Sequence, residues 1–188
     1  MSATIDETRL NTNPKKFVVW LFLVASIMVF IALTSAVIVR KGAGNWHAFA
    51  LPSLFIFNTL VILISSGTLY GSFYAAKNTE IAKARLGLII TFLLGIVFLV
   101  GQWQAWIFLN HHGVFFSGNP ADSFIYVLTG VHAAHIIAGL CLLLHAIQGT
   151  SGKYTPSVYN YRIQIASIFW HFLDILWICL YVFLLLNQ

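Results

Sequence analysis

The sequence predicts an all-α, polytopic membrane protein built as a bundle of five transmembrane helices. Of its 188 residues, 60% are apolar and only 8% are charged, whereas soluble domains average about 25% charged residues. Five segments are long enough to cross a bilayer, which takes about 20 apolar residues. The connections between these segments are short and carry charges or helix breakers, so no room remains for a soluble domain.

The predicted elements follow in chain order. Residues 1–16 are polar, and we expect them to form a cytoplasmic tail. The first apolar run is too long for the hydrophobic region of a signal peptide and is therefore kept as a helix. Short polar connections separate each later run from the one before. The predicted helices span residues 17–39, 51–75, 86–109, 123–148 and 163–186.

The distribution of positive charge predicts the orientation of the chain. Eight Lys and Arg residues lie in the N-terminal tail and in the second and fourth connections, whereas only Arg40 and Lys41 lie on the other side. Cytoplasmic loops of membrane proteins carry the excess of Lys and Arg. We therefore expect a cytoplasmic N-terminus and a periplasmic C-terminus. This asymmetry explains the net charge of +5 without any nucleic-acid partner.

Two pairs of ionisable residues lie inside the predicted membrane spans. His132 and His135 are three residues apart in the fourth helix, as are His171 and Asp174 in the fifth, so each pair shares a helix face. A charge near the bilayer centre costs about 2.5–3.5 kcal/mol on insertion scales. The helix midpoints place His135 and Asp174 at the same depth. We expect the two pairs to contact each other between these neighbouring helices and to fix their register.

Three functional alternatives remain open for these four residues. Three imidazoles and one carboxylate suit zinc or iron, although carboxylate-bridged metal pairs need several acids. Two opposed His side chains could ligate a haem. Intramembrane ionisable groups also mark proton relays and transporters, although the chain has no broken helices or inverted repeat. No phosphate-binding loop and no Ser or Cys nucleophile motif is present.

Small and polar residues elsewhere in the spans are typical of contacts between transmembrane helices. Cys141 and Cys179 lie singly in apolar runs and are interpreted as core residues, not as a disulfide or metal ligands. The candidates for helix packing or for a lipid cleft are Asn58, Ser65, Ser66, Gly67, Gly139, Trp170 and Trp177.

Four stretches together resemble subunit III of the haem–copper oxidases in its short, five-helix bacterial form. The resemblance covers nearly the whole chain. The last helix carries a Trp-His-Phe-x-Asp-x-x-Trp pattern, and the helix before it carries a Gly-x-His-x-x-His-x-x-x-Gly pattern. The stretches are WLFLVASIMVF (20–30), NTLVILISSGTL (58–69), LTGVHAAHIIAGL (128–140) and FWHFLDILWICLYVF (169–183).

The resemblance implies a subunit that is not an enzyme by itself and binds no metal or haem. It would assist a proton-pumping terminal oxidase of the cytochrome c oxidase type, which reduces oxygen to water in the bacterial inner membrane. Haem and copper are expected in the partner subunits I and II, and phospholipid on this chain. A larger respiratory supercomplex is a further possible assembly.

Two positions depart from the family pattern. Ser26 and Ala105 stand where family members commonly carry Glu, which puts a proton-antenna role in doubt. Two alternative functions stay open. One is subunit III of a quinol oxidase, because other subunits select the electron donor. The other is an independent transporter that uses Asp174 and His171.

Overall fold

Five α-helices form the part of the chain that the computed structural model describes, which is residues 14–42, 44, 52–116, 120–150 and 155–187. All five are long and apolar enough to cross a membrane, and the described residues contain no strand. The predicted all-α fold with five membrane-spanning helices is therefore confirmed. The helices are α1 (Pro14–Gly42), α2 (Leu54–Lys77), α3 (Ile81–His111), α4 (Pro120–Gly149) and α5 (Pro156–Asn187).

Several helices extend beyond the predicted spans. Helix α3 begins at Ile81, before the predicted residue 86, and α5 begins at Pro156, before residue 163. The prediction placed each boundary at the last charge, but a helix continues past the apolar layer when its polar end residues reach water. Proline opens α1, α4 and α5, a position where its fixed φ suits the first helical turn. Residues 1–13 of the predicted tail lie outside the described residues.

In each helix most of the buried residues recur at alternating steps of three and four residues. In α3, for example, the repeat runs from Ala84 through Leu88 and Thr91 and continues to Leu109. We call this set of positions the buried seam of each helix. In α5 it consists of Tyr159, Ile163, Ala166, Trp170, Leu173, Trp177, Leu180 and Leu184. A mean spacing of 3.5 residues keeps one stripe facing its neighbours along a left-handed bundle with crossing angles near +20°.

Four of the helices form a closed ring. Helix α2 packs along α3, α3 along α4, α4 along α5, and α5 returns to α2. Helix α1 lies outside this ring and packs against α4 and α5. The residues it buries there are Leu23, Ser26, Phe30 and Val37. Most of its large apolar side chains are exposed, as expected for a helix that faces lipid around most of its circumference.

Candidate functional site

The carboxylate of Asp174 lies in a small polar cluster between α5 and α2. Its Oδ2 atom is 3.6 Å from Nδ1 of His171, and the two side chains are 5% and 34% exposed. Oγ of Ser66, on α2, is 2.8 Å from the same Nδ1 atom. Ser66 and Asp174 thus approach one ring nitrogen, whereas a Ser-His-Asp relay requires one partner on each nitrogen. The cluster has the geometry of an interhelical tie and not that of a hydrolase triad.

The imidazole of His135 bonds to a different helix. Its Nε2 atom is 3.1 Å from Oγ of Ser26 on α1, and its Nδ1 atom is 2.7 Å from the carbonyl oxygen of Val131. Ser26 is buried and its hydroxyl also lies 2.8 Å from the carbonyl oxygen of Phe22. The His135–Ser26 contact therefore joins the peripheral helix α1 to the ring.

The predicted contact between the His pair of α4 and the Asp174 pair of α5 is wrong. His135 bonds to Ser26 of α1, and the ion-pair partner of Asp174 is His171 of its own helix. The helix midpoints give an estimate of the depth of each residue in the membrane. They contain no information on the direction in which its side chain points. Helix α1 packs on the outer side of α4 and α5 and supplies the partner of His135. The prediction considered only α4 and α5 and therefore could not include it.

His132 is completely buried and is surrounded by aromatic rings. Its ring centroid lies 5.1 Å from that of Trp177 and 5.8 Å from that of Phe98, with Phe30 at 6.5 Å. Neither of its ring nitrogens has a hydrogen-bond partner among the described residues. Among all the residues that the structure describes, no three His, Cys, Asp or Glu side chains are grouped so that they could hold a metal ion.

The two tryptophans named as packing candidates anchor α5 to α2. The indole N–H of Trp170 donates to Oγ of Ser65 at 3.0 Å, and that of Trp177 donates to Oγ1 of Thr59 at 3.1 Å. Both indoles are fully buried. Trp170 fits because Gly139 of α4 leaves room for it, since a methyl group added at Gly139 would lie 3.1 Å from the indole.

The remaining packing candidates occupy two different environments. Asn58 is completely buried, its side chain touches the α-carbon side of Gly101, and neither amide atom has a described hydrogen-bond partner. Gly67 faces outward, with no atom within 4 Å of the position that a Cβ would take. The candidates therefore do not form a single site. Trp170, Trp177, Ser65, Asn58 and Gly139 belong to the core, and Ser66 and Gly67 lie towards the outer surface of α2.

Sequence reasoning missed the partners that complete these contacts, namely Ser26 as the partner of His135 and Thr59 as the partner of Trp177. A signal was present in the spacing of small and polar residues. Asn58, Ser65 and Ser72 recur every seven residues along the buried seam of α2, as Gly95 and Gln102 do in α3. In a bundle surrounded by lipid, this repeat marks the inner face, because large apolar residues are equally suited to either face.

Two surface depressions accompany α1. A cleft of about 540 Å³ lies between α1, α4 and α5 and is lined by Val19, Leu142, His145, Tyr161 and Arg162 among others. Further along α1 and α5 there is an apolar groove of about 420 Å³. Its lining includes Phe30, Ile31, Thr34, Phe172, Cys179 and Phe183. The cleft combines polar groups with apolar walls, whereas the groove is almost entirely apolar.

Fold and site together define a polytopic helical membrane protein in which most of the polar groups that the sequence singles out join one helix to another. The family model described as cytochrome c oxidase subunit III matches residues 6–187. The chain therefore belongs to the cytochrome c oxidase subunit III family, and the resemblance seen in the sequence is confirmed.

The relatives carry the names of two kinds of oxidase. Cytochrome c oxidase subunit 3 of Corynebacterium diphtheriae is 29% identical over 86% of this chain and 82% of its own. A probable quinol oxidase subunit 3 of Staphylococcus saprophyticus is 30% identical over 95% and 91% of the two chains. Cytochrome c oxidase subunit 3 of a Synechocystis species is 30% identical over 89% and 73%. Both names therefore occur at the same level of similarity.

Proposed function

We propose that this chain is the non-catalytic subunit III of a proton-pumping terminal oxidase of the cytochrome c oxidase type. The observation that supports the proposal is that ionisable residues within the membrane spans make structural contacts inside the bundle. Asp174 faces His171 and Ser66, and His135 bonds to Ser26. The two imidazoles join α5 to α2 and α4 to α1, and Asp174 is paired with His171 within α5, as expected of a subunit that stabilises an assembly. The haem and copper that reduce oxygen to water would be held by subunit I and subunit II, in the bacterial inner membrane.

The electron donor of the oxidase could be cytochrome c or a quinol. The relatives include subunits named for cytochrome c oxidase and one named for a probable quinol oxidase. We propose the cytochrome c type and keep the quinol type as the alternative, because other subunits would select the electron donor. Membership of a larger respiratory supercomplex belongs to the same proposal.

Bound phospholipid forms a further part of the proposed role. The cleft between α1, α4 and α5 is lined by Arg162, His145 and Tyr161 together with apolar side chains such as Val19 and Leu142. This combination suits a phosphate headgroup beside an acyl chain. Lipid retained in this cleft would join α1 to the ring, to which few of its side chains are otherwise bound.

Support for proton uptake would be indirect in this chain. Ser26 and Ala105, which replace the Glu that family members commonly carry, are both buried. The hydroxyl of Ser26 lies 3.1 Å from Nε2 of His135. We propose that the chain sustains proton uptake by stabilising the adjacent catalytic subunit and not by collecting protons on its own carboxylates.

Co-purification in mild detergent tests the proposal. We expect tagged wild-type chain to bring down a haem-bearing chain, with haem absorbance and oxygen consumption in the eluate. Chain separated from its partners should show no haem absorbance. The opposing result would be proton-coupled uptake into liposomes by the purified chain alone, lost in Asp174→Asn but kept in a control variant such as Cys141→Ser. That outcome would favour an independent transporter.

A further inference from the structure

The outer surface of α2 carries two glycines one turn apart. Gly67 and Gly71 are both exposed, and no atom lies within 4 Å of the position of an added Cβ at either residue. Two glycines spaced by four residues let the backbones of two membrane helices approach closely. Helix α2 turns this surface away from α3 and α5, so the two glycines do not serve the packing of this chain.

A polar group lies beside these glycines at the middle of the span. Ser66 precedes Gly67 and bonds to His171, whose side chain is one-third exposed. We call Ser66, Gly67, Tyr70, Gly71 and His171 together the α2–α5 face. An imidazole that is one-third exposed at this depth is costly in hydrocarbon, where polar groups turn towards protein or water.

The hydrogen-bonding capacity of this cluster is not exhausted within the chain. Nδ1 of His171 is occupied by Ser66, and no described residue bonds to Nε2 of the same ring. Behind it, the side chain of Asp174 is 95% buried, and neither carboxylate oxygen has a hydrogen-bond partner among the residues described. Its Oδ2 atom lies 3.6 Å from Nδ1 of His171, whose side chain is one-third exposed. A donor or acceptor outside this chain could complete the cluster.

The molecule itself provides a precedent for such a partner. His135, like His171, lies beside the buried seam of its helix and points out of the four-helix ring. Helix α1 packs over His135 and bonds to it through Ser26. The exposed face of α3 has a different character, since it presents Leu93, Val97 and Val100. Lipid suits that surface without any protein partner.

We propose that the α2–α5 face docks one transmembrane helix of another oxidase subunit. That helix would pack closely over Gly67 and Gly71 and place a hydrogen-bonding side chain opposite His171. The inference rests on the proposed function, because it assumes assembly with a partner chain, and it adds which surface of this chain meets the partner. A second copy of this chain is the competing occupant.

Photo-crosslinking in native membranes tests this assignment with little disturbance of the fold. A photoreactive phenylalanine analogue replaces Tyr70, which is 67% exposed, and the matched control places it at Leu93 on α3. We expect a crosslinked product with a different membrane chain from position 70 and none from position 93. Equal crosslinking from both positions, no protein product from position 70, or a product of two copies of this chain would overturn the proposal.

A substitution gives the second measurement. Gly67→Leu adds bulk where the chain itself has open space, so membrane insertion of the subunit should be unchanged. We expect about tenfold lower recovery of the haem-bearing chain, whereas Ala138→Leu on the exposed side of α4 should leave recovery unchanged. Full recovery with Gly67→Leu would refute the docking face while leaving the proposed function intact. A failure of the wild-type chain to recover any haem-bearing chain would instead refute the proposed function.

Discussion

Adding one methyl group to Gly95 should destabilise the bundle at its centre. Gly95 lies on the buried seam of α3 and faces the indole of Trp170 on α5. A methyl group there would lie 2.6 Å from Cη2 of Trp170 and 2.8 Å from Cδ2 of Leu140. Carbon atoms pack best at about 3.5–4.0 Å, so Gly95→Ala creates an overlap of about 1 Å. The leucine methyl group can rotate away, but the indole cannot.

The geometry around Trp170 sets the magnitude. Its N–H is bonded to Ser65 at 3.0 Å, and the space on another side of the ring is closed by Gly139. Overpacking of this kind costs about 1–3 kcal/mol. Alanine is favoured over glycine within a helix by about 1 kcal/mol. We therefore expect a net loss of up to about 2 kcal/mol in the free energy of unfolding for Gly95→Ala.

Gly130→Ala is the matched control. It makes the same change within a helix, but the added methyl group would meet only Trp106, at 3.9 Å, which is ordinary van der Waals contact. The two variants should thus differ by about 1–3 kcal/mol. Unfolding of the purified chain in detergent, followed by tryptophan fluorescence and circular dichroism, measures the difference. Equal stability of the two variants would refute the close packing between α3 and Trp170.

Three further predictions concern the polar contacts and the cofactors. Asp174→Ala should lower the thermal stability of the assembled oxidase because His171 loses its carboxylate, and Asp174→Asn should be milder because an amide still accepts a hydrogen bond. Wild-type inactivation temperatures for the alanine variant would contradict this reasoning. Ser26→Ala should reduce stability by about 0.6 kcal/mol, the average measured for hydrogen bonds between membrane helices, and by no more than about 1.7 kcal/mol, the largest value measured. A double-mutant cycle with His135→Ala checks it, and no coupling energy would exclude the contact. The isolated chain should contain no haem, copper or iron in stoichiometric amount by absorption and metal analysis, and a tightly bound haem would contradict the proposed role.

The number of helices and their membrane-spanning type could be predicted because both follow from the length of the apolar runs, which can be read directly from the sequence. Crossing the apolar layer requires about 20 apolar residues, and the chain has five such runs. The ends could not be predicted in the same way, since α5 begins at Pro156 and α3 at Ile81, outside the apolar layer. There α5 begins with a proline, and α3 begins after Glu80, whose side chain makes no capping hydrogen bond, so hydrophobicity alone does not fix either start.

The contents of the candidate site were predicted better than its contacts. His135 and Asp174 were identified as intramembrane polar residues that require partners, and each does have a neighbouring polar group. The partners differ from the prediction because depth follows from counting along a helix, whereas the direction of a side chain depends on which helices pack around it. The position of α1 outside the ring, next to α4 and α5, is a tertiary property that no single span encodes.

The position of a polar residue relative to the buried seam indicates whether its side chain points into the four-helix ring or out of it. The number and length of the helices do not indicate this. Asn58, Gln102 and His132 lie on the seams of their helices and are completely enclosed by the ring. His135 and His171 lie one position beside the seam, so their side chains leave the ring. For His135 the neighbour on that side is a helix of this chain. A polar group in hydrocarbon requires a partner in protein or water, and we therefore propose that a helix from another subunit completes the bundle on the side where His171 is exposed.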